Sequence, residues 1–426
     1  MANITPDDRV LKRGNIPFFW LGDTCWSAFT NMTDAEWQDY IIKRAAQGFN
    51  VVQVNALPQW DRCGSTLGLY PFPTQDGLHF TYDGTLNEAY FARAGRMAAF
   101  AAHYGITLAV AVQWCNYVPG TWAAAKHPEN ILPAAMVEPV VKKICETFSA
   151  YDPVFLISGD ADFETEQALQ RYLWVTRLVQ KFAPDAPLAY HLKGWSDALP
   201  QELAENAALY LYQSGHNPAY QYTARTLAES FRTRIPQKPV LNSEPCYEQM
   251  GYSRLAYGRH RQEDCRRILW TSLLSGACAG ITYGAHGVWN WYKPGMPENP
   301  VSGEGFLQAP LCTNALALPG AEDFAFARQL CEGWGRWDFT PCPEVLLAYR
   351  EEIPAAHSGV RTVLYLPTAA PLPLADTLSV QKIYFIDLET RKTLPAHRLY
   401  KAGVLYLEQA PCYRDALLII EGESPC

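Results

Sequence analysis

Charge is scarce in this chain of 426 residues: Asp, Glu, Lys and Arg make up 18%, and the net charge is -8. A basic stripe interleaved with aromatics, which a nucleic-acid surface needs to neutralise phosphates, does not occur. No run of about 18 apolar residues is present to span a membrane. The opening "MANITPDDRVLKRGN" carries no apolar segment behind its charges, so it does not read as a secretion signal, and a cytoplasmic protein is expected. The 12 cysteines are scattered and never form C-x-x-C. Reduced, buried thiols are therefore expected rather than disulfides or zinc ligands. Neither H-x-H nor H-E-x-x-H occurs among the 9 histidines, and no metal or other cofactor is expected.

Apolar and aromatic residues are abundant, at 49% and 13%, with 13 Trp and 24 Tyr. That is a globular composition, and its length exceeds what one core usually fills, so two units are expected. A neutral or mildly charged small-molecule partner is expected; aromatic rings of this kind suit sugar faces, although most of them serve packing. The sequence does not settle the oligomeric state.

Short runs rich in Val, Ile, Leu and aromatics alternate with helical patterns. Strands are predicted at 18–22, 50–55, 106–113, 153–158, 187–192, 207–213, 239–243 and 278–283. Helices are predicted at 33–47, where Thr33 and Glu36 form a capping box, and at 87–104, 133–150, 165–182, 218–233 and 260–275. Eight strands in this order predict an α/β fold, a (β/α)8 TIM barrel. A helix at 318–335 bridges to the C-terminal segment, giving a catalytic unit of 1–335. From about 340, "EVLLAYRE", "RTVLYLP", "KIYFIDLE", "GVLYLEQ" and "DALLIIEG" read as strands without helices, so 340–426 is expected to be a small antiparallel β-sandwich. Phe324, Phe326 and Leu330 are spaced to dock the bridging helix.

"FFWLGDTCW" ends an apolar strand in a carboxylate, Asp23. In a TIM barrel the site lies at the C-terminal strand ends, so such residues can face a pocket. Asp23, Asn55, Gln113, Trp114, Asp160, His191, Gln213, Glu244 and His286 form this ring, each with capping or loop bonding as the alternative role. Asp160 in "VFLISGDADFE" and Glu244 in "NSEPCYE" end the fourth and seventh strands, where retaining barrel glycosidases hold their two carboxyl groups. One carboxyl must stay protonated to serve the leaving oxygen, while the other must be ionised to attack. Asp162 and Glu164 are neighbouring candidates for the Asp160 role, with capping of the helix near 165 as their other reading. Trp26, Trp60, Trp114, Trp289 and Trp291 can stack on sugars or pack loops, and Asp23 is assigned to sugar hydroxyls. The long segment 58–86 is expected to shape the pocket, with Trp60-Asp61-Arg62 in a subsite.

"FFWLGDTCW", "GFNVVQVN", "ISGD", "NSEPCYE" and "TYGAHGVWNW" together resemble the apiosidase-like glycoside hydrolases, glycoside hydrolase family 140 and its wider relatives, over most of residues 10–335. The resemblance implies a barrel with a small β-sandwich behind it and an exo-acting pocket. It also implies a retaining mechanism with Asp160 as acid/base and Glu244 as nucleophile, acting on an imported oligosaccharide or plant glycoside. Three rivals are open. One is a metal-dependent sugar isomerase using Asp160, Glu164, His191 and Glu244; another is an inactive carbohydrate-binding barrel. The third is an inverting hydrolase, for which the carboxyl groups stand about 6.5 to 9.5 Å apart.

Overall fold

A computed structural model describes residues 2–59, 67–74, 79–254, 256–296, 308–368, 370–375, 380–401 and 404–422. Three short antiparallel strands come first: β1 (Ile4–Asp7), β2 (Val10–Arg13) and β3 (Ile16–Phe18). Eight strands then pair in parallel: β4 (Trp20–Thr24), β5 (Val51–Asn55), β6 (Thr107–Trp114), β7 (Val154–Gly159), β8 (Leu188–Ala189), β9 (Tyr210–Gln213), β10 (Val240–Glu244) and β11 (Gly280–Tyr283). Their order in space, β8-β7-β6-β5-β4-β11-β10-β9, is a nearly closed barrel. The seam between β8 and β9 is bridged by single bonds, from Ala208 N to Leu188 O (2.7 Å) and from Trp195 N to Gln213 O (2.9 Å). All eight residues of β6 are buried, which is why "TLAVAVQW" is apolar almost throughout: both faces of a parallel barrel strand are covered.

The outer ring consists of α1 (Asp34–Ala46), α2 (Glu88–His103), α3 (Ala134–Phe148), α4 (Glu166–Phe182), α5 (Gln201–Asn206), α6 (Thr223–Arg232), α7 (Gln262–Leu274) and α8 (Gly320–Trp334). The Thr33–Glu36 capping box is present at α1. At α4 the cap is the Thr165 hydroxyl, which accepts from Ala168 N, so neither Asp162 nor Glu164 plays that part. The predicted bridging helix is α8, the eighth helix of the ring, packed on β11, β4 and α7. The six-residue α5 went unpredicted because it is too short to show a helical period.

Beyond α8, one sheet runs β12 (Thr340–Pro341), β13 (Ala355–Ser358), β14 (Arg361–Leu366), then β20 (Ala416–Glu421), β16 (Lys382–Asp387) and β17 (Thr393–Pro395). A second holds β15 (Leu372–Leu374), β19 (Val404–Leu407) and β18 (Arg398–Lys401). The two fit a β-sandwich. "EVLLAYRE" is not one of its strands: Pro343–Val345 form a 3-10 turn, and only Leu346 makes an isolated bridge, to Leu374. Alternation explains the unbroken apolar run of β20. Val363, Tyr365, Leu417 and Ile419 join the barrel core, while Leu364, Leu366, Leu418 and Ile420 join the core between the sheets. The sandwich thus packs on the barrel. Arg266 of α7 pins it, donating to both Asp415 oxygens at 2.6 and 2.8 Å and to Asp323 at 3.0 Å.

Candidate active site

Glu244 closes β10, where the ladder with β9 slips by one residue between Asn242 and Glu244. Such a bulge re-aims the side chain that comes after it. The carboxyl meets two imidazoles at 2.9 Å: His191 Nε2 at Oε2 and His216 Nε2 at Oε1. Tyr247, Trp26 and Gln213 also hydrogen-bond it. Burial dominates its acidity all the same and pushes it up to about 8, against the pull of those donors. Burial alone drives His191 down to about 3.

The ring partners fix the tautomers. The Tyr247 amide N–H donates to His216 Nδ1 at 3.4 Å, so His216 carries its proton on Nε2 and donates to Glu244. His191 lies between two acceptors, the Glu244 carboxyl and the Leu192 carbonyl oxygen, 3.2 Å from Nδ1. One proton is therefore held jointly: neutral acid with neutral imidazole, or carboxylate with imidazolium.

Around this pair stand aromatics that the sequence had placed at strand ends. Trp26 donates to the Tyr247 hydroxyl at 3.1 Å, and its ring is 5.0 Å from Trp114 and 5.4 Å from His191. Trp114 fits because Gly159 has no Cβ; one built there would lie 1.9 Å from the indole. The side-chain amides of Asn55 and Gln113, Oε1 of Gln213 and the indole nitrogen of Trp114 are buried without hydrogen-bond partners among the described residues. Such groups are costly unless something pairs with them.

Asp160 comes directly after β7 with φ of 53°, a left-handed conformation unusual for a residue other than glycine. It is half-buried, and its carbonyl accepts from Trp122 Nε1 at 2.9 Å. The next residue, Ala161, bridges to Leu192, which sets the Asp160 backbone beside the His191 segment. Asp162 and Glu164 both engage Lys193, at 3.8 and 2.5 Å.

Asp23 is corrected by its surroundings. It points outward from β4 to α1, where Arg44 Nε (2.6 Å) and Tyr40 OH (2.8 Å) hold it with no exposure at all, so it anchors a helix and does not meet sugar hydroxyls. His286 and Trp289 are buried and bond one another, Trp289 Nε1 to His286 Nδ1 at 3.0 Å, in the loop after β11. Trp291 packs edge-on to Tyr40. Trp60, with Asp61 and Arg62, lies outside the described residues. His216 and Tyr247 were missed by sequence reasoning. Their signal was present: "QSGHNP" sets a histidine three residues past a strand end, and Tyr247 belongs to the "NSEPCYE" motif itself.

Residues 5–338 match the model of the apiosidase-like catalytic domain. A solved structure described as a glycoside hydrolase is 18% identical, with 100% of this chain and 98% of that one covered and a TM-score of 0.79. A glycoside hydrolase family 5 protein from Bacteroides vulgatus is likewise 18% identical, covering 100% and 95% with a TM-score of 0.81. At such identities these likenesses show the fold. No curated protein matches the chain. No helix among the described residues is long and apolar enough to cross a membrane, and no cluster of three His, Cys, Asp or Glu residues among them is arranged to hold a metal ion.

Proposed function

We propose, starting from the fact that the chain belongs to the apiosidase-like family and is a glycoside hydrolase, that it releases one terminal sugar from an oligosaccharide or plant glycoside with retention of configuration. Glu244 is the nucleophile and Asp160 the acid/base. The observation that carries this reading is the bracketing of Glu244 by His191 and His216 at 2.9 Å each. A carboxylate that attacks an anomeric carbon must be ionised and fixed in place. His216 supplies a fixed N–H, and His191 is placed to hold the shared proton while Glu244 attacks. The positive charge that develops on the sugar ring then favours the ionised form of Glu244 further.

Asp160 protonates the leaving oxygen in the first step and takes a proton from water in the second. The unpartnered amides of Asn55 and Gln113 and the indole N–H of Trp114 suit the hydroxyl groups of a single buried sugar, which supports exo action.

A 2-fluoro glycoside with a good leaving group tests the reading, because it arrests a retaining enzyme as its glycosyl ester. Peptide mapping is expected to find the sugar on Glu244, and NMR of the normal reaction to show the retained anomer first. Glu244→Gln is expected to lose several orders of magnitude in turnover. An inverted first product, or a label on another carboxylate, would overturn the proposal.

A further inference from the structure

Two residues beyond Glu244, Cys246 faces Cys265 of α7 with 3.9 Å between the sulfur atoms. Both are buried. Their surroundings differ from those of other buried thiols here. Cys25 and Cys115 are pushed up by burial and by nearby carboxylates, Asp23 for one and Asp160 with Asp162 for the other. At Cys246 the hydrogen bond shared with Cys265, and then the imidazole of His260, hold the thiol below its usual range in spite of burial. His260 Nε2 stands 2.9 Å from the His216 carbonyl oxygen, so Nε2 carries the proton and Nδ1 is the basic nitrogen left for Cys246. An open cavity of about 590 Å³ lies one residue away from this cluster, and neither sulfur nor the His260 ring lines it. Its lining includes Tyr252, whose ring is 4.7 Å from that of His260, and Asp264, the neighbour of Cys265.

We propose that Cys246 and Cys265 form a peroxide-reactive dithiol whose oxidation to a disulfide switches off the adjacent active site. The chemistry needs one molecule of hydrogen peroxide as oxidant. His260 takes the Cys246 proton; the sulfur attacks one peroxide oxygen, the O–O bond breaks, and the departing hydroxide leaves as water with that proton. The Cys265 sulfur then attacks the sulfenic acid, the S–S bond forms, the S–O bond breaks, and hydroxide departs with the Cys265 proton as a second water. Both sulfurs are oxidised and both peroxide oxygens reduced.

The link to catalysis is short. Bringing the sulfurs from 3.9 Å to a bond of about 2.05 Å draws Cys246 toward α7. Cys246 sits between Glu244 and Tyr247, and the Tyr247 ring is 4.5 Å from that of His216. A shift of about 1 Å in a reacting group can cost about a hundredfold in rate. The inactivation rests on the glycosidase reading, whereas the disulfide does not.

The folded full chain is treated with hydrogen peroxide, its remaining thiols are alkylated in denaturant, and its peptides are mapped by mass spectrometry. The expected result is a Cys246–Cys265 cross-link, a fall in turnover of about a hundredfold and recovery with dithiothreitol. In Cys265→Ser the second step cannot occur, so dimedone is expected to capture Cys246 sulfenic acid; Cys265→Ala gives the same readout if serine disturbs folding. Alkylation of both thiols after peroxide, or a cross-link seen only in unfolded chain, overturns the proposal. A cross-link that leaves turnover unchanged overturns its control of the active site. Because the map reads thiols alone, failure of the glycosidase reading cannot be mistaken for failure of the dithiol.

Discussion

His191 Nε2 stands 2.9 Å from Glu244 Oε2, and the same ring turns Nδ1 to the Leu192 carbonyl oxygen. Two acceptors around one imidazole require a proton on each nitrogen or a proton on Glu244. Glu244 and His191 consequently titrate as a unit.

Removing the other histidine tests how the charge on Glu244 is held. In His216→Ala a fixed N–H donor to the carboxylate is lost, so the raised pKa of Glu244 moves higher still. The rising limb of the kcat/KM profile is expected to shift to higher pH, with activity falling about 10- to 1,000-fold. An unmoved limb would mean that His216 acts only in packing.

Asp160→Ala is expected to depend on the leaving group. Aglycones that need a proton should lose most of their rate, and activated aryl glycosides much less. Azide should rescue the variant and give a glycosyl azide of retained configuration, whereas with Glu244→Ala the azide product should be inverted. Full activity of Asp160→Ala beside a dead Asp162→Ala or Glu164→Ala would move the acid/base along the loop.

Stability carries its own pH signature. Glu244 has an ordinary value near 4.5 when unfolded and is pushed up to about 8 by burial in the folded chain. A raised folded value gives stability that is present below pH 4.5 and lost as pH rises through 8. Glu244→Gln has no charge to bury, so its Tm relative to the wild type is expected to climb between about pH 5 and 9, as calorimetry would show. His191, depressed to about 3, acts in the opposite sense, with stability present above about 6.5 and lost as pH falls toward 3.

Asp23→Asn distinguishes an anchor from a sugar ligand. Arg44 would be left buried and uncompensated, at a cost of about 3–5 kcal/mol. Denaturant unfolding should show that loss, while KM at a temperature where the variant is folded should stay near the wild-type value.

Arg266→Ala leaves Asp323 and Asp415 buried without their guanidinium and is expected to cost about 3–5 kcal/mol. Since Arg266 joins α7 to the sandwich, limited proteolysis of the variant should cut first between barrel and sandwich. Cleavage as slow as in the wild type would show that apolar packing alone holds the two together.

Periodicity determined much of this protein. Apolar runs covered on both faces announced β5, β6, β7 and β10 to within a residue or so, because a buried parallel strand leaves no room for polar alternation. Strand ends named Glu244, Asn55, Gln113, Trp114, His191 and Gln213, all now found buried at the strand ends, since a barrel turns one-dimensional position into one rim. Direction was beyond reach. Asp23 ends its strand as Glu244 does, yet one faces Arg44 in the helix layer and the other faces two imidazoles. A period of two gives the alternation of side chains but not which parity points outward. Only the tertiary structure decided that, along with the arrival of His216 at Glu244 and of Cys265 at Cys246, because those contacts join a loop or helix to a distant strand end, an approach that local pattern does not encode.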